Sequence, residues 1–111
     1  MTIASARAGN AAVIRVTGRM DAVAAPEFER TCSRSIETGV RRIIIDLADL
    51  EYISSPGLRS ILAAGERIRE GGGVLALCAP HGIVKSVLDL TGFCTLFPVY
   101  ESAETALNQL P

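Results

Sequence analysis

Residues 42–62 read RIIIDLADLEYISSPGLRSIL. The first part, Arg42–Leu47, is a continuous run rich in β-branched residues. It lacks the alternation of a strand that shows one face to water, so it reads as a strand buried on both faces, the kind found in parallel sheets. After Tyr52-Ile53 come two serines and Pro56. Proline suits the first helical position, where a missing N–H costs nothing, which makes Ser55 the expected N-cap. Leu58, Ile61, Leu62, Gly65 and Ile68 then fall on one face of a helix that starts near Pro56 and stops at Gly71. A buried strand that leads into an amphipathic helix is the unit of an α/β fold.

The same alternation extends in both directions. Toward the C-terminus, Val74–Cys78 is another short apolar strand. Ile83, Val84, Val87 and Leu88 mark a third helix that Gly92 is placed to end. Phe97–Tyr100 reads as a last strand, and Pro98 assigns it to a sheet edge because it removes a ladder donor. Ser102 caps a short final helix in which Ala103, Ala106, Leu107 and Leu110 share a face. Toward the N-terminus, a helix over 26–38 carries Pro26 in its first turn and a stripe of Phe28, Cys32 and Ile36. Before it, Val13, Ile14 and Val16 form a strand that ends at Gly18. A weaker strand over Thr2–Arg7, with Gly9-Asn10 as turn residues, completes an antiparallel hairpin. The expected architecture is a single α/β domain over residues 1–111. Its mixed sheet has four to five strands, with helices packed on at least one face.

Composition narrows the function. The chain has 111 residues, 49% of them hydrophobic and 21% charged, with a formal net charge of −1. That is a globular composition without the basic field of a nucleic-acid binder. No Trp, two Tyr and three Phe offer little platform for stacked bases. The longest stretch free of acidic and basic residues, Gly71–Val84, is broken by glycines and Pro80. It falls short of the roughly 20 apolar residues of a spanning helix. The first ten residues have no apolar signal-peptide core, so no membrane contact and a cytoplasmic location are expected. Cys32, Cys78 and Cys94 are odd in number, contain no CxxC and have only His81 beside them. Neither a disulfide framework nor a zinc site is expected.

Few segments can carry chemistry. GxxxxGK[ST] and GxGxxG are absent. Gly71-Gly72-Gly73 lies between a helix and a strand, at the wrong end for a phosphate. Ser54 or Ser55, Asp46 and His81 supply the residue types of a hydrolase triad. The GxSxG elbow is missing, however, since the local sequence is ISSPG. Asp46 and Asp49, just after a strand, are explained by turn formation. The serines remain. A serine at a helix start satisfies orphan N–H groups and needs no other role. It also lies near the positive end of the helix dipole, where a phosphate is well accommodated by unpaired N–H groups.

Several segments, in order, resemble a STAS domain, the family shared by sulfate transporters and anti-sigma factor antagonists. GRMDA at Gly18–Ala22 resembles the family's turn after the second strand. IIIDL at Ile43–Leu47 resembles its central strand and following aspartate. YISSPGL at Tyr52–Leu58 is similar to its D-S-x-G-L phosphorylation segment. LDLTGF at Leu88–Phe93 and LFPVYES at Leu96–Ser102 resemble its C-terminal half. The resemblance covers nearly the whole chain. It departs from the pattern at Ser54, where Asp is common, and at Pro56, where a small residue is usual.

The resemblance implies a regulatory binding module without catalytic activity or cofactor. In antagonists of this family a serine in the matching segment is phosphorylated by an anti-sigma factor serine kinase with a histidine-kinase-like ATPase fold. The matching position here is Ser55, with the adjacent Ser54 as the second choice. The unmodified form would bind that kinase, phosphorylation would block binding, and a serine phosphatase would restore it. Asp21, Ser54, Ser55, Gly57, Leu58 and Arg59 are the implied partner-binding residues. Asp21 also reads as a turn residue, and Leu58 as part of the core. Two other readings stay open: a STAS subunit of a lipid or anion transporter or a stress-signalling scaffold, and, more remotely, a serine hydrolase.

Overall fold

The structure, a computed structural model, describes all 111 residues. Two strands open the chain, β1 (Thr2–Ala8) and β2 (Ala11–Met20). They pair antiparallel around Gly9-Asn10, with Ala8 opposite Ala11, as the hairpin reading expects. Helix α1 (Ala25–Glu37) leads to β3 (Arg42–Asp46), which lies parallel to β2. Then come β4 (Leu50–Ile53), α2 (Ser55–Glu70) and β5 (Val74–Cys78), the last parallel to β3. Helix α3 (Gly82–Thr91), the single turn α4 (Phe93–Leu96), β6 (Val99–Tyr100) and α5 (Ala103–Gln109) complete the chain. The strand order is β1-β2-β3-β5-β6, with β4 off this path on β2.

The sheet has six strands rather than four or five. The additional one is β4, and it exists because β2 does not stop at Gly18. The strand parts from β3 after Arg15, and from Gly18 (φ +93°) to Met20 it runs beside β4, with a register shift between Gly18 and Arg19 that leaves Glu51 of β4 unpaired. A positive φ is accessible to glycine without steric cost, so Gly18 suits the point where the pairing with β4 begins.

Ile43, Ile44 and Ile45 are all fully buried, as an unalternating apolar run requires. Ile43 and Ile45 join Ile14, Phe28, Ile61, Leu77 and Leu88 in the larger core, under α1, α2 and α3. Ile44 faces the other way and packs with Ala76, Cys78, Ala106 and Leu110 under α5. Helices therefore cover both faces. The Phe28–Cys32–Ile36 stripe packs on the larger core, and β6 is an edge strand beside β5. Ser102 caps α5 by accepting from the Thr105 N–H. One expected core position differs. Ile83 is 60% exposed, and Val84 and Leu88, four residues apart, anchor α3 instead. The α4 turn was not expected. It places Phe93 against Phe97, whose ring passes so close to Gly65 that a Cβ there would sit 2.6 Å from it.

Candidate functional site

The carboxyl ends of β2 and β4 meet the start of α2 at one corner. The bond that closes it runs from the Ser54 N–H to the Met20 carbonyl, 2.9 Å. The Ser54 hydroxyl donates to the same carbonyl (3.2 Å) and accepts from the Gly57 N–H (3.3 Å). Its extended backbone (φ −95°, ψ 173°) and this last bond make Ser54 the N-cap of α2. Ser55, the expected cap, is instead the first helical residue, and Pro56 takes the second position. The cap falls one residue earlier because Ser54 alone can reach both the β2 carbonyl and the third helical N–H.

Ser55 is therefore free. Its side chain is exposed and makes no hydrogen bond. Proline removes one N–H at this helix start and Ser54 takes the Gly57 N–H, so only the Ser55 N–H is left without a partner. A phosphate here would meet the helix dipole and one N–H, not the open cradle expected for it. No acidic side chain occupies the first turn of α2. Arg59, one turn on, is exposed and outside every ion pair of the chain.

Gly57 is buried because there is no room for more. A Cβ would come within 2.7 Å of the Met20 carbonyl oxygen and 2.9 Å of Ile53 Cγ1. The helix start is thereby pressed onto the end of β2. Leu58 is half-buried and packs on the larger core, so most of its side chain is turned inward. Asp21 follows Met20 directly. Its Oδ1 accepts from Val23 N–H (3.1 Å) and Ala24 N–H (3.0 Å), and its carbonyl accepts from Ala25 N–H. The turn role of Asp21 is thus in place. It shapes the loop that borders the Ser54 corner.

Two features of this corner escape a reading of the sequence. Val23 is 89% exposed in the Asp21 loop. An apolar residue between a turn-forming Asp and a helix-starting Pro, outside any periodic stripe, is the signal that points to it. Arg19 lies over the Tyr52 ring, 4.1 Å from its centroid, a cation–π contact across the β2–β4 pair. It depends on the register shift between Gly18 and Arg19, which no local pattern reveals.

The residues of the hydrolase alternative are engaged elsewhere. Asp46 is 4% exposed. It accepts from Arg15 through Oδ2 (Nε 3.2 Å, Nη2 3.1 Å) and from the Ala48 N–H through Oδ1 (3.0 Å). The His81 ring lies 2.6 Å by Nε2 from the Ala48 carbonyl. Neither is hydrogen-bonded to Ser54, Ser55 or the other. Burial pushes the thiols of Cys32 and Cys78 up to about 12, with Glu29 adding to the first and Asp46 to the second, so neither is a nucleophile at neutral pH. Cys94 is exposed and donates to Asp89 Oδ1 (3.1 Å); partial desolvation first, and then this bond, raise its thiol above the usual range. No three His, Cys, Asp or Glu side chains group closely enough for a metal ion. No helix is long and apolar enough to cross a membrane.

Comparison with known proteins agrees with this geometry. The STAS domain model matches residues 2–106. BtrV of Bordetella bronchiseptica, named as a candidate anti-sigma factor antagonist, is 36% identical over 80% of this chain and 77% of its own length. An anti-sigma F factor antagonist of Paenibacillus polymyxa is 26% identical over 88% of this chain and 85% of its own. Among solved structures, the anti-sigma factor antagonist SpoIIAA of Bacillus in its unphosphorylated form superposes with a TM-score of 0.87. It shares 21% identity, over 98% of this chain and 96% of that one, a likeness of fold. With its family model matched almost end to end, the chain belongs to the STAS domain family, among the anti-sigma factor antagonists.

Proposed function

We propose that this protein is a partner-switching module whose phospho-acceptor is Ser55. In its unmodified form it binds an anti-sigma factor serine kinase with a histidine-kinase-like ATPase fold. That kinase phosphorylates Ser55 and releases the module, and a serine phosphatase resets it. The module acts in the cytoplasm and catalyses nothing itself. The observation that carries this reading is the division of labour between adjacent hydroxyls. Ser54 is held by Met20 and Gly57, whereas Ser55 is exposed and unbonded at the helix start. A kinase needs a hydroxyl that can be reached without unfolding the turn.

The switch follows from electrostatics. A phosphate on Ser55 adds about −1.5 to −2 charge at pH 7. At an exposed helix N-terminus the dipole favours such a charge by roughly 0.3–1 kcal/mol, and Arg59 adds a screening cation. The fold therefore tolerates the modification. The partner does not, because it must now desolvate a dianion where it previously met a small neutral hydroxyl. Arg59 and the partly exposed Asp21, Ser54 and Leu58 surround the acceptor as the contact surface, whereas Gly57, expected in it too, is buried beneath them and only shapes the helix start. Val23, exposed in the same loop, gives that surface an apolar anchor.

The test is affinity capture from the native cytoplasm with two forms of the protein, unmodified and carrying phosphoserine at position 55. The unmodified form should retain an ATP-binding serine kinase that the phosphorylated form does not. Equal capture by both forms, or by neither, contradicts the proposal.

A further inference from the structure

A second polar site lies away from the Ser54 corner, between β1 and the C-terminal half of α1. A helix lying over a sheet normally turns apolar residues toward it. Here the α1 face that looks onto β1 carries Thr31, Arg34 and Ser35, with Thr38 at its C-cap, and β1 answers with Ser5 and Arg7. Together they line a groove of about 260 Å³, floored by the buried side chains of Ala12 and Val40. No carboxylate lines it, although the chain has 12 acidic residues against 11 basic ones. Neither Arg7 nor Arg34 belongs to any ion pair.

The donors are partly committed in a way that fixes their positions and leaves capacity. Arg7 Nε donates to the Gly9 carbonyl (2.9 Å), and its Nη1 donates to the Thr38 carbonyl (3.1 Å). The second bond satisfies an orphan carbonyl at the end of α1 and offsets the negative end of its dipole. The Nη2 group of Arg7 stays free. Arg34 Nη2 donates to Thr31 Oγ1 (3.3 Å), which itself donates to the Glu27 carbonyl (3.0 Å). The Nε and Nη1 groups of Arg34 have no partner. The hydroxyls of Ser5 and Ser35 also make no hydrogen bond, whereas Thr38 Oγ1 donates to the Ser35 carbonyl (2.7 Å). Two guanidinium groups with spare N–H donors, two free hydroxyls and no competing acid suit a planar or tetrahedral oxyanion.

We propose that the β1–α1 groove is a binding site for a small oxyanion of the phosphate class, held by Arg7 and Arg34 with Ser5 and Ser35. The site is independent of the Ser55 switch. It shares no residue with that corner, and its occupancy can be measured without the kinase. The groove admits a phosphate with a small attached group and is too small for a folded partner.

The experiment is titration of the full chain with inorganic phosphate, followed by amide resonances in two-dimensional NMR, against sodium chloride at equal ionic strength. Phosphate in the low millimolar range should move the Ser5, Ser35 and Thr38 amides along one saturating curve that chloride does not reproduce. Arg34→Gln, an exposed change to a good helix former, should weaken binding at least ten-fold. Ser35→Asp, which brings a carboxylate into the groove, should abolish it, and Arg69→Gln on α2 should leave it unchanged. Shifts that fail to saturate, match those of chloride, or persist in Arg34→Gln overturn the proposal. So do shifts confined to Ser55 and its neighbours at the start of α2. If Ser35→Asp does not fold, the Arg34→Gln titration decides.

Discussion

The β4–α2 and β5–α3 corners stand at the same end of the sheet, since β4 and β5 point the same way through their parallel pairings. Each hands a strand to a helix, and they are built in opposite ways. At the first, Ser54 caps the helix with its side chain, and Gly57 brings the helix backbone against Met20 with no space to spare. At the second, His81 occupies the cap position (φ −151°, ψ 169°) and makes no cap bond. Its ring reaches out to the Ala48 carbonyl instead. Ala79 and Gly82 on either side adopt positive φ, +55° and +56°. A left-handed alanine costs roughly 1–2 kcal/mol, offset here by its N–H donating to the Tyr100 carbonyl at 2.9 Å. The first corner is thus close-packed. The second is open, with nothing within 4 Å of a Cβ at Gly82. A surface hydroxyl that must be presented in one orientation belongs at the first kind of corner.

The contrast can be broken by substitution. Gly57→Ala should do the most damage, because its Cβ must displace the Met20 carbonyl or the Ile53 side chain. The overpacking costs about 1–3 kcal/mol, and the gain in helix propensity returns less than about 1 kcal/mol. Urea denaturation of the two proteins reads the difference. A fall of less than a few tenths of a kcal/mol would mean the corner is not close-packed.

Ser54→Ala comes next. It deletes the cap and one of the two donors to Met20, and should cost about 1 kcal/mol in the same assay. Ser54→Asp should recover most of that loss, since an aspartate also accepts from the Gly57 N–H. If Ser54→Asp is as unstable as Ser54→Ala, the donation to Met20 matters more than the cap. His81→Ala should cost less than Ser54→Ala, because it removes one exposed hydrogen bond and no cap. A larger loss at His81 would reverse the ranking of the two corners. Ser55→Ala should be the mildest, within about 0.5 kcal/mol of the parent, since its hydroxyl bonds to nothing in the folded chain.

Much of this fold is legible in the chain, and the exceptions have physical reasons. Arg42–Leu47 announces a doubly buried strand, and the stripes at Phe28–Ile36 and Ile61–Ile68 announce helices, because burial imposes a period on each. The β4 strand is hidden, because it is four residues long and pairs only with the far end of β2, Gly18–Met20, across a register shift. The misplaced cap has a similar origin. Proline at the second rather than the first helical position is a local ambiguity, and the Met20 carbonyl, 34 residues away in sequence, resolves it in favour of Ser54. Ile83 looked like core by its spacing from Val87, but α3 contacts the sheet through Val84 and Leu88 alone among its fully buried side chains. Within the candidate site, the serines and Gly57 could be read from the segment itself. Val23 and the Arg19–Tyr52 contact required the loop and the register.

The central claim is that Ser54 builds the corner while Ser55 carries the signal. Phosphopeptide mass spectrometry of the protein isolated from its native cells, with site-determining fragmentation between the two serines, tests it most directly. The account predicts phosphate on Ser55, none on Ser54, and complete loss of modification in Ser55→Ala while Ser54→Ala remains a substrate. Phosphate found on Ser54, or on neither serine across growth and stress conditions, would contradict it.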